Sequence, residues 1–180
     1  MLNLLLLLAA LPVLDAQALA RLRAGEAVVG TNSEGSAGEA RGWIIARCKP
    51  ARLWVVLTDH ARFPEFIPHL KAVEIVRQTG DTERTLQTVD AVVTTVHYGL
   101  DYRYDQAALR IEYQLAADLP HEISAARGSW QLTAVPEGTL IEYTSAVDAG
   151  RPVPGFIRRY LAERSVEDVL VAVRNRALSR

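Results

Sequence analysis

Val96-His97-Tyr98-Gly99-Leu100-Asp101-Tyr102-Arg103-Tyr104-Asp105 reads as one β-strand with two unlike faces. Val96, Tyr98, Leu100, Tyr102 and Tyr104 alternate with His97, Gly99, Asp101, Arg103 and Asp105. Successive side chains of a strand point to opposite sides, so this spacing turns the aromatic set inward and the polar set to water. The same period continues downstream: Leu109, Ile111, Tyr113 and Leu115 alternate with Arg110, Glu112 and Gln114 after a turn near 105–108. Segments 124–135 and 139–147 form a last hairpin around Pro136-Glu137-Gly138. Trp130 and Leu132 share a direction on its first arm, Ile141 and Tyr143 on its second.

Upstream of the quoted stretch, Val73 and Ile75 begin a strand that closes at Thr79-Gly80-Asp81, and 86–95 is the next strand. Before these, Leu53, Trp54, Val56 and Leu57 recur at helical period, and Pro64 and Pro68 break the segment into two short helices. A strand at 42–48 precedes them, ending at Lys49-Pro50. Earlier still come a short helix at 15–23, a brief strand at 27–29 and a loop at 32–38. After the last hairpin, a Pro/Gly hinge at 150–155 leads into a helix on which Phe156, Tyr160, Val166, Val169, Leu170, Val173 and Ala177 fall on one stripe. That helix covers roughly 36 Å at 1.5 Å per residue, enough to cross a small domain.

This order predicts an α+β domain in which a curved antiparallel sheet of about six to seven strands wraps a long C-terminal helix. Two short helices follow the first strand of the sheet. One helix has to cover one apolar face of a sheet this large. A strongly curved sheet would then keep a space between its concave side and the helix, where a ligand could sit.

Three segments carry a family resemblance. They are Ala-Arg-Leu-Trp-Val-Val-Leu-Thr-Asp-His-Ala-Arg-Phe-Pro-Glu-Phe-Ile-Pro at 51–68, Gly128-Ser129-Trp130, and Pro152-Val153-Pro154-Gly155-Phe156. Together they resemble the START-like (SRPBCC, helix-grip) superfamily, in particular its polyketide cyclase/dehydrase and coenzyme Q-binding branch, over about 42–178. Gly25-Glu26-Ala27-Val28-Val29 is similar to the N-terminal extension of secreted bacterial members. The resemblance implies a helix-grip fold and a cavity for a lipid or other hydrophobic small molecule, bound or carried without catalysis. The alternative it implies is a polyketide cyclase/dehydratase-like enzyme using the same cavity.

Alternation and resemblance together place Tyr98, Tyr102, Ile111, Tyr113, Trp130, Leu132, Ile141, Tyr143, Phe156 and Tyr160 on inward surfaces as candidate cavity lining. Each would equally serve as plain core, but a buried phenol needs a hydrogen-bond partner in the protein or in a ligand. Phe63, Phe66 and Ile67 are candidates for the cavity mouth. For the enzyme alternative, acid/base candidates are His97, Tyr98, Tyr102 and Arg103, although alternation sends His97 and Arg103 to the face opposite the tyrosines. Asp90 and Glu142 are carboxylates inside strands whose facing the sequence leaves open.

Composition narrows the function classes. The chain has 180 residues, 20 Lys plus Arg against 21 Asp plus Glu and a formal charge of -1, so no global field draws it to nucleic acid. Its one cysteine, Cys48, forms no internal disulfide, and His60, His69, His97 and His121 show no helical metal-binding spacing. No metal site is expected. Glycine-rich phosphate loops, Ser-His-Asp order and paired carboxylates are missing, and no cofactor is expected.

At the N-terminus, the apolar run 4–11 is followed by Pro12 and by Ala16-Gln17-Ala18, a small-x-small pattern. Residues 1–18 are therefore read as a signal peptide, 19–41 as an N-terminal extension and 42–180 as the ligand-binding domain. The run is shorter than the about 20 apolar residues a membrane-spanning helix needs. The mature protein is accordingly expected to lack a stable membrane span and to be exported to the periplasm or the medium.

Overall fold

The computed structural model describes residues 15–32, 38–91, 94–150 and 155–179, with side chains described for these except at 31, 32, 38, 91, 94 and 155–163. The signal-peptide reading falls almost wholly outside the described residues, as do the side chains of Phe156 and Tyr160. Helix α1 (Ala16–Arg23) starts where Asp15 caps it, the Ala18 amide donating to Asp15 Oδ1 at 2.7 Å. Strands β1 (Val28–Asn32) and β2 (Gly38–Ala46) follow. Helix α2 (Pro50–Thr58) begins with Pro50, whose missing N–H suits a first turn, and buries Leu53 and Leu57 one turn apart. The 3-10 turn η1 (His60–Glu65) comes next, burying His60 and Phe63.

Six strands then run β3 (Leu70–Thr79), β4 (Thr82–Ala91), β5 (Thr94–Asp105), β6 (Arg110–Leu115), β7 (Ala125–Val135) and β8 (Gly138–Asp148). Helix α3 (Gly155–Leu178) closes the chain. All eight strands form one antiparallel sheet in the order β1-β2-β8-β7-β6-β5-β4-β3. The helix-grip α+β architecture is as the sequence predicts. The strand count is higher than six to seven because β1, assigned to the extension, pairs with β2 and completes the sheet.

Since β2 lies next to β8 while β3 is the far edge, the segment α2–η1 carries the chain across the sheet. Val166, Leu170, Val173 and Ala177 form the buried stripe of α3, spaced by four, three and four residues, as the helical period requires. With this stripe α3 packs against β2, β1, β8 and α2. The main core joins it to Ile44, Leu53, Leu57, Ile111, Trp130, Leu132 and Ile141. Among the described residues, no helix is long and apolar enough to cross a membrane.

Candidate functional site

The inner face of the sheet is built by register. Tyr102 of β5 stands opposite Glu83 of β4 on one side and Tyr113 of β6 on the other. Tyr104 faces Ile111, which in turn faces Trp130, and Trp130 faces Tyr143. Tyr98 faces Gln87, and Leu100 faces Thr85. The aromatic rings meet as these pairings require: Trp130 stacks on Tyr143 at 3.9 Å between centroids, and Tyr102 meets Tyr113 at 5.6 Å. Gly128 is opposite Tyr113, and a Cβ there would overlap the phenol and the Thr144 carbonyl, so only glycine lets that ring lie across the strand.

Phenolic hydroxyls are paired on this face. Tyr113 Oη is 3.0 Å from Tyr143 Oη, and Gln87 Nε2 donates to Tyr102 Oη at 2.9 Å. Burial pushes the pKa of Tyr98, Tyr102, Tyr104, Tyr113 and Tyr143 above that of a free phenol, because ionisation would place an anion in a poorly solvated layer. Neighbouring tyrosines add to the rise at Tyr98, Tyr102 and Tyr113. Across the physiological range these groups are neutral donors and acceptors.

One ionisable pair lies within the same layer. His60 is 1% exposed and Glu83 4%, and His60 Nδ1 is 2.5 Å from Glu83 Oε1. Tyr104 Oη is 3.1 Å from the same nitrogen. The imidazole lies over Tyr102 at 3.9 Å between centroids and meets Phe63 edge-on at 4.6 Å. Thus η1 is pinned to β4 and β5 through a buried hydrogen-bonded pair, a costly arrangement unless both partners are present.

Of the lining candidates, Tyr98, Tyr102, Ile111, Tyr113, Trp130, Leu132, Ile141 and Tyr143 all share this face. The structure separates them into two groups. Tyr102, Ile111, Trp130, Leu132 and Ile141 are buried in the main core, whereas Tyr98, Tyr113 and Tyr143 are only partly buried. At the candidate mouth Phe63 is buried, and Phe66 and Ile67 are half-buried. Phe66 meets Phe63 at 5.5 Å, and the Arg176 guanidinium lies 5.4 Å from its ring centre. His97 and Arg103 are exposed on the outer face, His97 next to Glu122 and Arg103 opposite Glu112.

The two strand carboxylates also face outward. Glu142 accepts from Arg41 at 2.7 Å and from the Trp43 indole at 2.8 Å. Asp90 pairs with Lys71 at 2.9 Å, which holds its carboxyl below the ordinary value. Sequence reasoning missed His60, Glu83, Thr85 and Gln87, the polar members of the inner layer. The signal for the last three was present as the alternation Glu83-Thr85-Gln87, but the strand was read as 86–95, which leaves out Glu83 and Thr85.

Three open hollows border these elements. Two, of about 410 and 300 Å³, are on the outer face among charged residues such as Arg84, Asp101, Glu112 and Arg127. The third, of about 510 Å³, runs between Phe66, Pro68 and the C-terminal part of α3 at Val171, Ala172 and Asn175. Among the described residues no cluster of His, Cys, Asp and Glu suits a metal ion.

Comparison with known proteins adds the following. The family model described as polyketide cyclase / dehydrase and lipid transport matches residues 40–178. The fold is similar to that of a STAR-related lipid transfer protein from Xanthomonas axonopodis, with 20% identity, 85% of this chain and 94% of that chain covered, and a TM-score of 0.73. It is similar to the Zhui aromatase/cyclase from Streptomyces sp. R1128, with 18% identity, 78% and 93% covered, and a TM-score of 0.68. A START superfamily protein from Mycobacterium smegmatis gives 18% identity, 85% and 97% covered, and a TM-score of 0.64. At these identities the likeness is one of fold. A search of the curated proteins finds no match.

Proposed function

Because the chain belongs to the polyketide cyclase/dehydrase and lipid transport family, we propose that it binds and carries an apolar small molecule or lipid against the tyrosine-lined inner face of its sheet. The observation that supports this is the division of that face. Helix α3 packs on β1, β2 and β8, whereas the partly buried aromatics Tyr98, Tyr104 and Tyr113 lie on β5 and β6 around the buried Tyr102. Burying about 400 Å² of ligand surface there gives a gross gain of about 10 kcal/mol before the costs of association. Binding of this kind needs no covalent chemistry.

Native mass spectrometry of the protein purified from its own host tests the reading. A co-purifying apolar molecule, released on denaturation with its mass unchanged, supports a carrier. A chain that never yields one, and that gains no thermal stability from any lipid or polyketide-like compound, sinks it.

A second reading, a cyclase or dehydratase using the same face, draws support from one observation: the buried His60–Glu83 pair is an acid/base couple. Conversion of a polyketide-like substrate by the wild type and not by Glu83→Gln would favour it over carriage. We further propose that the protein works outside the cytoplasm. The apolar run 4–11 and Ala16-Gln17-Ala18 support this reading. N-terminal sequencing of protein recovered from the host should find Leu19 first; a chain starting at Met1 or Leu2 would refute export by cleavage at this place.

A further inference from the structure

Two polar atoms of the inner layer keep hydrogen-bonding capacity that the fold does not use. As the donor in the contact to the Glu83 carboxyl, Nδ1 of His60 carries the ring proton. Tyr104 adds a further polar contact at the same nitrogen, 3.1 Å away. In the neutral ring that tautomer leaves a lone pair on Nε2. That atom is buried and has no hydrogen-bond partner among the described residues. A buried acceptor left unmet lowers stability, and native folds keep few of them without cause.

The second atom belongs to the ring that packs against this imidazole. The Tyr102 ring lies under the imidazole at 3.9 Å between centroids. Its oxygen accepts from Gln87 Nε2 at 2.9 Å, so its own O–H proton is available to donate. Here an acceptor and a donor share one apolar surface, bordered by Phe63.

The geometry points to a recognition site for a single hydroxyl group, whose O–H donates to His60 Nε2 while its oxygen accepts from Tyr102. The ligand class is an otherwise apolar molecule with one free alcohol or phenol. This deepens the carrier reading and rests on it. An ether or a hydrocarbon would leave Nε2 unmet. A carboxylate would bring no proton to Nε2 and would place an anion in an apolar layer. Discrimination of this kind is steep, because a site built to bond a hydroxyl penalises the analogue that lacks it.

The test uses the full chain and three probes of similar size: naphthol, methoxynaphthalene and naphthalene. They are titrated calorimetrically into the wild type, His60→Asn and Tyr102→Phe. The asparagine amide still donates to Glu83 in place of Nδ1, but nothing replaces Nε2. Naphthol should bind the wild type roughly tenfold more tightly than methoxynaphthalene. In His60→Asn that preference should shrink to about twofold or less, with methoxynaphthalene binding unchanged.

Equal affinities in the wild type, or a preference that survives in His60→Asn, overturn the hydroxyl site and leave apolar binding standing. Failure of all three probes to bind likewise overturns the hydroxyl site, while the search for a co-purifying molecule decides the carrier reading. Should His60→Asn not fold, histidine-nitrogen NMR of the wild type decides instead. The Nε2 resonance should move on adding naphthol and not on adding methoxynaphthalene, and an unmoved resonance overturns the site.

Discussion

Gly42 of β2 and Val166 of α3 are in such close approach that a Cβ on the glycine would lie 2.6 Å from Val166 Cγ1, with Leu170 Cδ1 at 2.7 Å. The helix thus sits on the strand where the strand has no side chain. Gly42→Ala should force α3 outward and destabilise the protein by about 1–3 kcal/mol. Urea unfolding checks this, and an unchanged midpoint would mean that the helix yields freely.

His60 and Glu83 should behave as a unit. Glu83→Leu alone strands a buried imidazole donor and should destabilise by about 2–4 kcal/mol. The double variant His60→Phe with Glu83→Leu replaces both polar groups and should be less destabilised than Glu83→Leu. A double-mutant cycle in denaturant measures the coupling, and simple additivity would show that the pair is not coupled.

Burial raises the pKa of Tyr98, Tyr102, Tyr104, Tyr113 and Tyr143 above the unfolded value. A neutral phenol retained by the folded chain contributes stability that is fully present below the unfolded pKa of about 10 and is lost as pH rises beyond it. Each such tyrosine adds a slope of about 1.4 kcal/mol per pH unit in that window. Unfolding free energy should be insensitive to these groups near neutrality and fall steeply above about pH 10. Phenolate absorbance should rise cooperatively with unfolding; gradual ionisation in the folded state would contradict the burial of this layer.

Phe63 and Phe66 should separate packing from access. Phe63 is 6% exposed, and Phe63→Ala should cost about 3–5 kcal/mol. Phe66 is half-buried at the turn between η1 and β3, so Phe66→Ala should cost about 1 kcal/mol while speeding exchange of a bound apolar probe. Stopped-flow displacement and thermal melts read the two effects; a loss as large as that of Phe63→Ala would place Phe66 in the core.

Much of this architecture was legible in the alternation of β5, where five apolar side chains in strict period two leave one register. The buried stripe of α3 was legible for the same reason, with helical spacing in place of alternation. The inner row of β4 was not, because Glu83, Thr85 and Gln87 are polar residues buried against tyrosines, while half-buried Leu86 faces outward. Hydrophobic periodicity fails where a layer is held by hydrogen bonds. The strand was accordingly read from Leu86, whereas it begins at Thr82. His60 escaped notice because its partner is 23 residues away, and no local pattern announces a contact made only when η1 folds onto the sheet.

The seating of α3 on β1, β2 and β8 divides the molecule's tasks. Anchorage of the helix is concentrated at one end of the sheet, so the partly buried positions of β5 and β6, such as Tyr98 and Tyr113, lie away from the strands that seat it. On the carrier reading, a lineage re-tailors its cargo by editing those positions, keeping the same chassis.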